Sequence, residues 1–340
     1  MPKFAKGCRV PKDLKNRMRL SAERHPQPQF GRRFAAAVLP ASYDARAAGL
    51  IPPIKDQGQC GDCWNFSGTF AAEVANVAGG NGTADAVNFS EQSVLDCGSN
   101  GGCDGDWPET ALEQARNSGL ANTAEYPYQG GPSGTCRNVP HPNVVGGYGY
   151  VAGQDLVPSV EAITTAILTY GGVAVAVAAD DAFQQYTGGV FAGSGATEID
   201  HAVGLVGWVD DAAVPGGGYW ILRNSWGTAW GESGYMRIAY GANQVGYGAM
   251  WAQAGPPNPA PAPTPPAPPA PPVPPAPAAG YTGTLTFANG VLTAVGRPAA
   301  PQSLTPAQWL QLIAAVAAAI AQVFGRSSDG AAGPHQPCGC

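Results

Sequence analysis

The stretch Asp56-Gln57-Gly58-Gln59-Cys60-Gly61-Asp62-Cys63-Trp64-Asn65-Phe66-Ser67 decides how the rest of the chain is read. Two thiols three residues apart lead into a run, Phe66 to Ala78, that reads as helix. Cys63 therefore stands at or just before a helix N-terminus. There, unpaired backbone N–H groups and the positive end of the macrodipole favour a thiolate over a thiol. A thiolate is the reactive form, so Cys63 is a candidate nucleophile on physical grounds alone. Three other readings compete. A Cys-x-x-Cys pair is a thioredoxin-type redox motif, and Cys60, Cys63, Cys97 and Cys103 are enough for a structural zinc. A plain disulfide framework is the third. The pair alone favours redox or metal; its surroundings decide otherwise.

Gln57-Gly58-Gln59-Cys60-Gly61-Asp62-Cys63-Trp64 resembles the nucleophile segment of papain-like cysteine proteases, the cathepsins included, whose known signature is Cys-Gly-[Ser/Ala]-Cys-[Trp/Tyr]. Asp62 departs from that signature, and a carboxylate beside the thiol is expected to raise its pKa or to shape recognition. Other family segments follow in order: Ser90-Glu91-Gln92, Leu95-Asp96-Cys97, Gly102-Cys103-Asp104-Gly105-Asp106, Tyr126-Pro127-Tyr128, Asp200-His201-Ala202-Val203 and Arg223-Asn224-Ser225-Trp226-Gly227. The similarity covers roughly residues 39 to 253. It implies an α+β, papain-like two-lobed fold: a helical lobe, an antiparallel β-barrel-like lobe, and the active-site cleft between them.

The resemblance also implies roles. Cys63 attacks as thiolate, and an imidazole holds the thiol proton and later gives it to the leaving amine. Of four histidines, His25 and His141 sit in polar, Pro-rich stretches and His335 in the tail, whereas His201 opens an apolar run 138 residues after Cys63. That separation falls within the family's interval of roughly 130–150 residues. Asn224, 161 residues after the thiol, would orient the ring, as in Cys-His-Asn triads. Trp226 would cover the Asn224–His201 bond, and Gln57 would donate its side-chain amide to the oxyanion. Gly105 and Asp106 match a backbone rung that pairs with extended substrate, with Asp106 where the family has a second glycine. Ile199, Ala176 and Gln253 would line the pocket for the residue second before the scissile bond. A preference for basic or mixed apolar/basic peptides is expected from Asp62, Asp106 and an acidic body. Four cysteines (Cys60, Cys97, Cys103 and Cys136) allow three pairings, and the resemblance selects Cys60–Cys103 and Cys97–Cys136. A third family bridge is absent, its positions being Gly195 and Gly248. No metal site and no cofactor are expected.

At 340 residues and 44% hydrophobic content there is room for one two-lobed enzyme domain with appendages. The net charge of −6 is the sum of three unequal parts: +8 over residues 1–38, −15 over 39–255 and +1 over 256–340. A basic arm on an acidic body is commonly a nucleic-acid or membrane arm. Joined to a protease it reads as an inhibitory pro-segment held by charge complementarity, with no nucleic-acid role. Cys8 within it would bond Cys63, as in cathepsin-like zymogens with short pro-segments, or else be a free surface thiol. No apolar core of a signal peptide stands near the N-terminus, although the cysteine pattern suits an oxidising compartment.

The chain thus divides into a basic pro-segment (1–38), a catalytic domain (39–255), a Pro/Ala-rich spacer (256–279) and a small C-terminal module (280–340). At about 3.1 Å per residue the spacer reaches on the order of 70 Å. The module reads as a hairpin, Tyr281 to Val295 turning at Asn289-Gly290, then a helix from about Pro306 to Phe324 capped by Thr305. That helix is expected to pack or bind a partner rather than span a membrane. The closing Cys338 and Cys340 are too little to assign. The expected function is a cysteine endopeptidase acting through a thioester acyl-enzyme on a peptide or protein substrate. A transacylase using the same acyl-enzyme, or a peptide-binding protein with a retired site, is the alternative.

Overall fold

The helix expected after the two thiols runs over Cys63–Ala78, and the described part of the chain is built on it. A computed structural model describes residues 3–25 and 39–256, together with the strands at 284–288 and 291–295. The chain divides into two compact units, Met1–Ala262 and Pro263–Cys340. The first carries α1 (Leu14–Arg24), β1 (Ser42–Asp44), α2 (Cys63–Ala78), α3 (Glu91–Cys97), α4 (Pro108–Asn117), β2 (Val145–Tyr150), α5 (Val160–Tyr170), β3 (Val173–Val177), α6 (Asp181–Gln184), β4 (Val190–Phe191), β5 (His201–Asp210), β6 (Gly218–Arg223), β7 (Tyr235–Ala239) and β8 (Tyr247–Ala254).

Every residue of α2 from Cys63 to Val77 is buried, as befits a helix whose apolar and small residues run all the way round. Gly68 makes one of its contacts possible. A Cβ there would lie 2.5 Å from the carbonyl oxygen of Pro108, so only glycine lets α4 come this close. Phe70, two residues on, is 1% exposed, a burial that contributes roughly 1.5–3 kcal/mol. On the other side, Ser67 donates its hydroxyl to the carbonyl of Val203 at 2.7 Å, tying the helix to β5. The helix that begins with the thiol is thereby fixed against the strand that begins with the imidazole.

The helical lobe closes around α2 with α3, α4 and the two disulfides Cys60–Cys103 and Cys97–Cys136, the pairing the resemblance implies. Ser90 caps α3 by accepting the Ser93 N–H, and Pro108 stands in the first turn of α4. Gly119, at φ +73°, lies just past the end of α4. The other lobe is an eight-stranded sheet in the order β2-β8-β3-β5-β6-β7-β4, with β1 on β5. All pairings are antiparallel except β4 with β7. The apolar run that His201 opens is β5, flanked in the sheet by β3 and β6. Together the lobes give the α+β two-lobed architecture.

Among the described residues the N-terminal segment contributes α1, 11 residues long, whose Leu14 and Met18 are buried in an apolar cluster shared by α2, α4, β2 and β8. In the second unit, Thr284–Ala288 pairs antiparallel with Val291–Val295, Ala288 opposite Val291, the hairpin expected between 281 and 295. The spacer from 257 on, the helix expected at 306–324 and the thiols Cys338 and Cys340 lie outside the described residues. Among the described residues no helix is long and apolar enough to cross a membrane, and no group of three or more His, Cys, Asp or Glu could hold a metal ion.

Candidate active site

Cys63 is the first residue of α2, and its thiol is buried where the two lobes meet. Backbone N–H groups of Ala202, Gly7 and Trp64 point at the sulfur and favour the thiolate, Gly7 at 3.2 Å. Burial works against them and wins: the Cys63 thiol is pushed up to about 12. The thiolate expected from helix position alone is therefore not the favoured form in this arrangement. The N–H groups of Ala202 and Trp64, which do not belong to the N-terminal segment, would still stabilise it once water reaches the sulfur.

His201 opens β5 opposite Val177 of β3. Its Nε2 stands 2.8 Å from Asn224 Oδ1. The same oxygen accepts the Ser225 N–H at 2.8 Å. Two donors on one atom identify it as the amide oxygen, so Nε2 carries the proton. The other nitrogen, Nδ1, is buried and has no hydrogen-bond partner within the protein. Trp226 stacks on the ring at 4.4 Å, and Phe183 and Trp230 pack edge-on against Trp226, which keeps water from the His201–Asn224 bond. Burial first, and then the charge of Lys6, push His201 down to about 3, while the bond to Asn224 opposes them. Gln57 is fully buried. Its Oε1 accepts the Ser225 hydroxyl at 2.6 Å, and its Nε2 donates to the carbonyls of Cys60 at 2.9 Å and Ala5 at 3.3 Å. Cys63, His201, Asn224 and Gln57 are thus brought together around one cleft.

Residues 4–9 lie in that cleft. Phe4 stacks on the outer face of Trp226 at 4.6 Å, and the carbonyl of Ala5 accepts the Trp226 indole N–H at 3.2 Å. Lys6 donates to the carbonyl of Ala179 at 2.7 Å and forms an ion pair with Asp200. Gly7 crosses the sulfur so tightly that a Cβ would lie 1.7 Å from the carbonyl oxygen of Gly61. Cys8 then forms a parallel bridge with Asp106: the Asp106 N–H donates to Gly7 and the Arg9 N–H to Asp106. Cys8 and Cys63 are both free and both buried. Cys8 is neither bonded to the nucleophile nor a surface thiol. Its side chain belongs to the apolar cluster that includes Trp107, Ala176, Ala202 and Met250, with Ile199 and Tyr247 packed against it.

Several expected substrate residues sit differently. Ala176 and Ile199 belong to that cluster, but Gln253 is exposed on β8 opposite Gly147, away from it. Tyr247, opposite Ala176 across the β3–β8 pairing, stands on that strand instead. Asp62 is fully buried and accepts hydrogen bonds from the Tyr128 hydroxyl at 3.0 and 3.1 Å, so it does not shape recognition. Burial pushes Asp62 up to about 8, and its charge is a minor upward influence on Cys63. The Asp106 carboxylate accepts the N–H groups of Gly101 and Trp107 and the hydroxyl of Thr110, holding the loop before α4. Gly105 and Asp106 supply backbone to the cleft, as expected, but the Asp106 charge is turned into the loop. Ser225, Tyr128, Tyr247 and Lys6 were not singled out from sequence; for Ser225 the signal was its place between Asn224 and Trp226.

Residues 39–253 match the family model described as papain family cysteine protease. Fruit bromelain of Ananas comosus is 37% identical over 229 residues, covering 66% of this chain and 61% of that protein. Cysteine endopeptidase Rep1 of Oryza sativa subsp. japonica is 40% identical over 208 residues, covering 59% and 53%. The chain therefore spans less than two thirds of the length of these relatives. Among solved structures, the bromelain protease from Ananas comosus in complex with the E64 inhibitor superposes with a TM-score of 0.56 at 33% identity, over 64% of this chain and 100% of that one. Digestive procathepsin L2 proteinase of Tenebrio molitor larval midgut gives 0.62 at 31% identity, over 74% and 78%. With the thiol, imidazole and amide in one cleft, these matches establish that the chain belongs to the papain family of cysteine proteases.

Proposed function

We propose that the protein is a cysteine endopeptidase held latent by its own N-terminal segment, residues 1–38. In this reading Cys63, as thiolate, attacks the carbonyl carbon of a peptide bond, and Gln57 Nε2 with the Cys63 N–H stabilises the oxyanion. His201, oriented by Asn224, gives its Nδ1 proton to the departing amine, leaving a thioester on Cys63. Water, deprotonated by the same nitrogen, then releases the acid.

The observation that carries the latency is the direction of residues 4–9. The departing amine must lie beside the imidazole that protonates it. The C-terminal half of a substrate therefore belongs on the side of His201 and Trp226, and the N-terminal half on the side of Gly105 and Asp106. The N-terminal segment is laid the other way: Phe4 is on Trp226 while Arg9 is on Asp106. It presents an amide N–H to the sulfur where a substrate would present a carbonyl carbon. It also excludes water from both catalytic groups. A segment so placed blocks the cleft without being cut. Cys8 contributes by packing as a thiol. The two disulfides suit an oxidising compartment.

Cleavage of a peptide library by the full-length chain, with and without reductant and beside Cys63→Ala, tests the reading. Reductant-dependent cleavage absent from the variant is expected, and it should rise when residues 1–38 are removed. Silence in both forms would contradict a peptidase and would call for an amine acceptor as the next addition.

A further inference from the structure

Three carboxylates, those of Asp62, Asp106 and Asp200, flank the cleft, and only one of them has an oxygen turned into it. Asp62 is engaged with Tyr128, and Asp106 with Gly101, Trp107 and Thr110. Asp200 differs. Its Oδ1 accepts the Ala179 N–H at 2.9 Å, which fixes the carboxylate, and its Oδ2 carries the Lys6 ammonium. The carbonyl of Ala179 accepts from the same ammonium at 2.7 Å. The neighbouring Asp180 does not compete for the cation, because its carboxylate caps α6 by accepting the Phe183 N–H. Asp200 and Ala179 thus form a half-exposed cation site with two acceptors, one charged and one neutral, held by backbone. Lys6 directly precedes Gly7, whose N–H touches the sulfur, and it lies on the His201 side of it.

We infer that Asp200 and the Ala179 carbonyl form a specificity site on the leaving-group side of the cleft, selecting substrates with Lys or Arg immediately after the scissile bond. The inference rests on the peptidase reading. Lys6 is a stand-in from the chain itself: an ammonium approaching from a reversed backbone, as a substrate's would from the correct one. The body is acidic, at −15 over residues 39–255, so basic peptides are also drawn to the cleft at long range. The site makes a finer distinction than that general field, because it acts at one substrate position.

Internally quenched peptides differing only at the residue after the scissile bond (Lys, Arg, Gln or Glu) test this with the full-length chain in reductant. The expected kcat/KM for Lys and Arg exceeds that for Gln by about ten-fold, with Glu lowest. In Asp200→Asn the Lys:Gln ratio should fall to near one. The ratio is read within each variant, so a general loss of activity cancels. A second measurement uses the resting chain. Lys6→Gln should raise its basal activity and Lys6→Arg should not, with the Lys6→Gln effect absent in an Asp200→Asn background. Equal rates for Lys and Gln, or a preference that survives Asp200→Asn, would overturn the site while leaving the peptidase intact. Absence of cleavage of every peptide, both by the full-length chain and by one lacking residues 1–38, would overturn both.

Discussion

The two walls of the cleft are built on different principles. The helical wall is assembled from a buried helix, two disulfides and loops whose carboxylates are already committed to neighbours: Asp62 to Tyr128, Asp106 to the start of α4. The β wall is assembled from register, with His201 at a strand end, Asn224 just past the adjacent strand and an aromatic stack behind them. There the polar groups are oriented but not exhausted. His201 Nδ1 has no partner within the protein, and Asp200 offers an oxygen to the cleft. A charged residue near a cleft acts on a ligand only if the fold has left one of its lone pairs free. Counting acidic residues along the sequence could not make that distinction.

The contrast can be broken at each wall. The largest effect is expected from Cys63→Ala, which should lower kcat by about 10⁴-fold or more, measured on any cleavable peptide. In the proposed mechanism Gln57 is an oxyanion donor, so Gln57→Ala should cost about 10²–10³-fold in kcat with little change in KM. Asn224→Ala on the β wall should cost about 10²-fold, with a changed pH–rate profile because the imidazole loses its orienting acceptor. On the helical wall, removing Cys97–Cys136 by a double Cys→Ser change should leave kcat nearly intact. It should lower unfolding free energy by about 2–4 kcal/mol in denaturant titration.

The smallest effect sharpens the comparison through pH. Asp62 has a folded pKa of about 8, above its unfolded value, because burial disfavours the charge. Between the two values the native state holds a proton that the unfolded chain has released. Stability from this group is therefore full in acid and is lost as pH rises towards about 8. Asp62→Asn keeps a neutral side chain beside Tyr128 and should flatten that loss, raising Tm relative to the parent by a few degrees near pH 8 and by less in acid.

Much of this was legible in sequence because the decisive residues are held by local chemistry. A helix that starts at Cys63, an apolar run that starts at His201 and the Asn224-Ser225-Trp226 stretch each carry their own signals. The disulfide pairing came with the resemblance, since four thiols alone leave three choices. What could not be read depends on register and burial. Gln253 and Tyr247 lie on one strand, and only the β3–β8 pairing tells which of them stands opposite Ala176. Asp62 looked like a cleft residue because it adjoins Cys63, yet the helix N-terminus turns it inward. Helix position alone predicted a thiolate. Burial of the thiol, over which residues 4–9 pass, reverses that preference.

That reversal is the central claim, and alkylation of Cys63 tests it most directly. The rate of iodoacetamide modification at Cys63, read by peptide mass spectrometry so that Cys8 is scored separately, can be followed against pH in the full-length chain and in one lacking residues 1–38. Alkylation in the full-length chain should be slower at neutral pH by about 10²-fold or more, rising only in strong alkali in line with a thiol pushed up to about 12. The shortened chain should react fast from mildly acidic pH upward. Equal rates and equal pH profiles for the two would contradict the account.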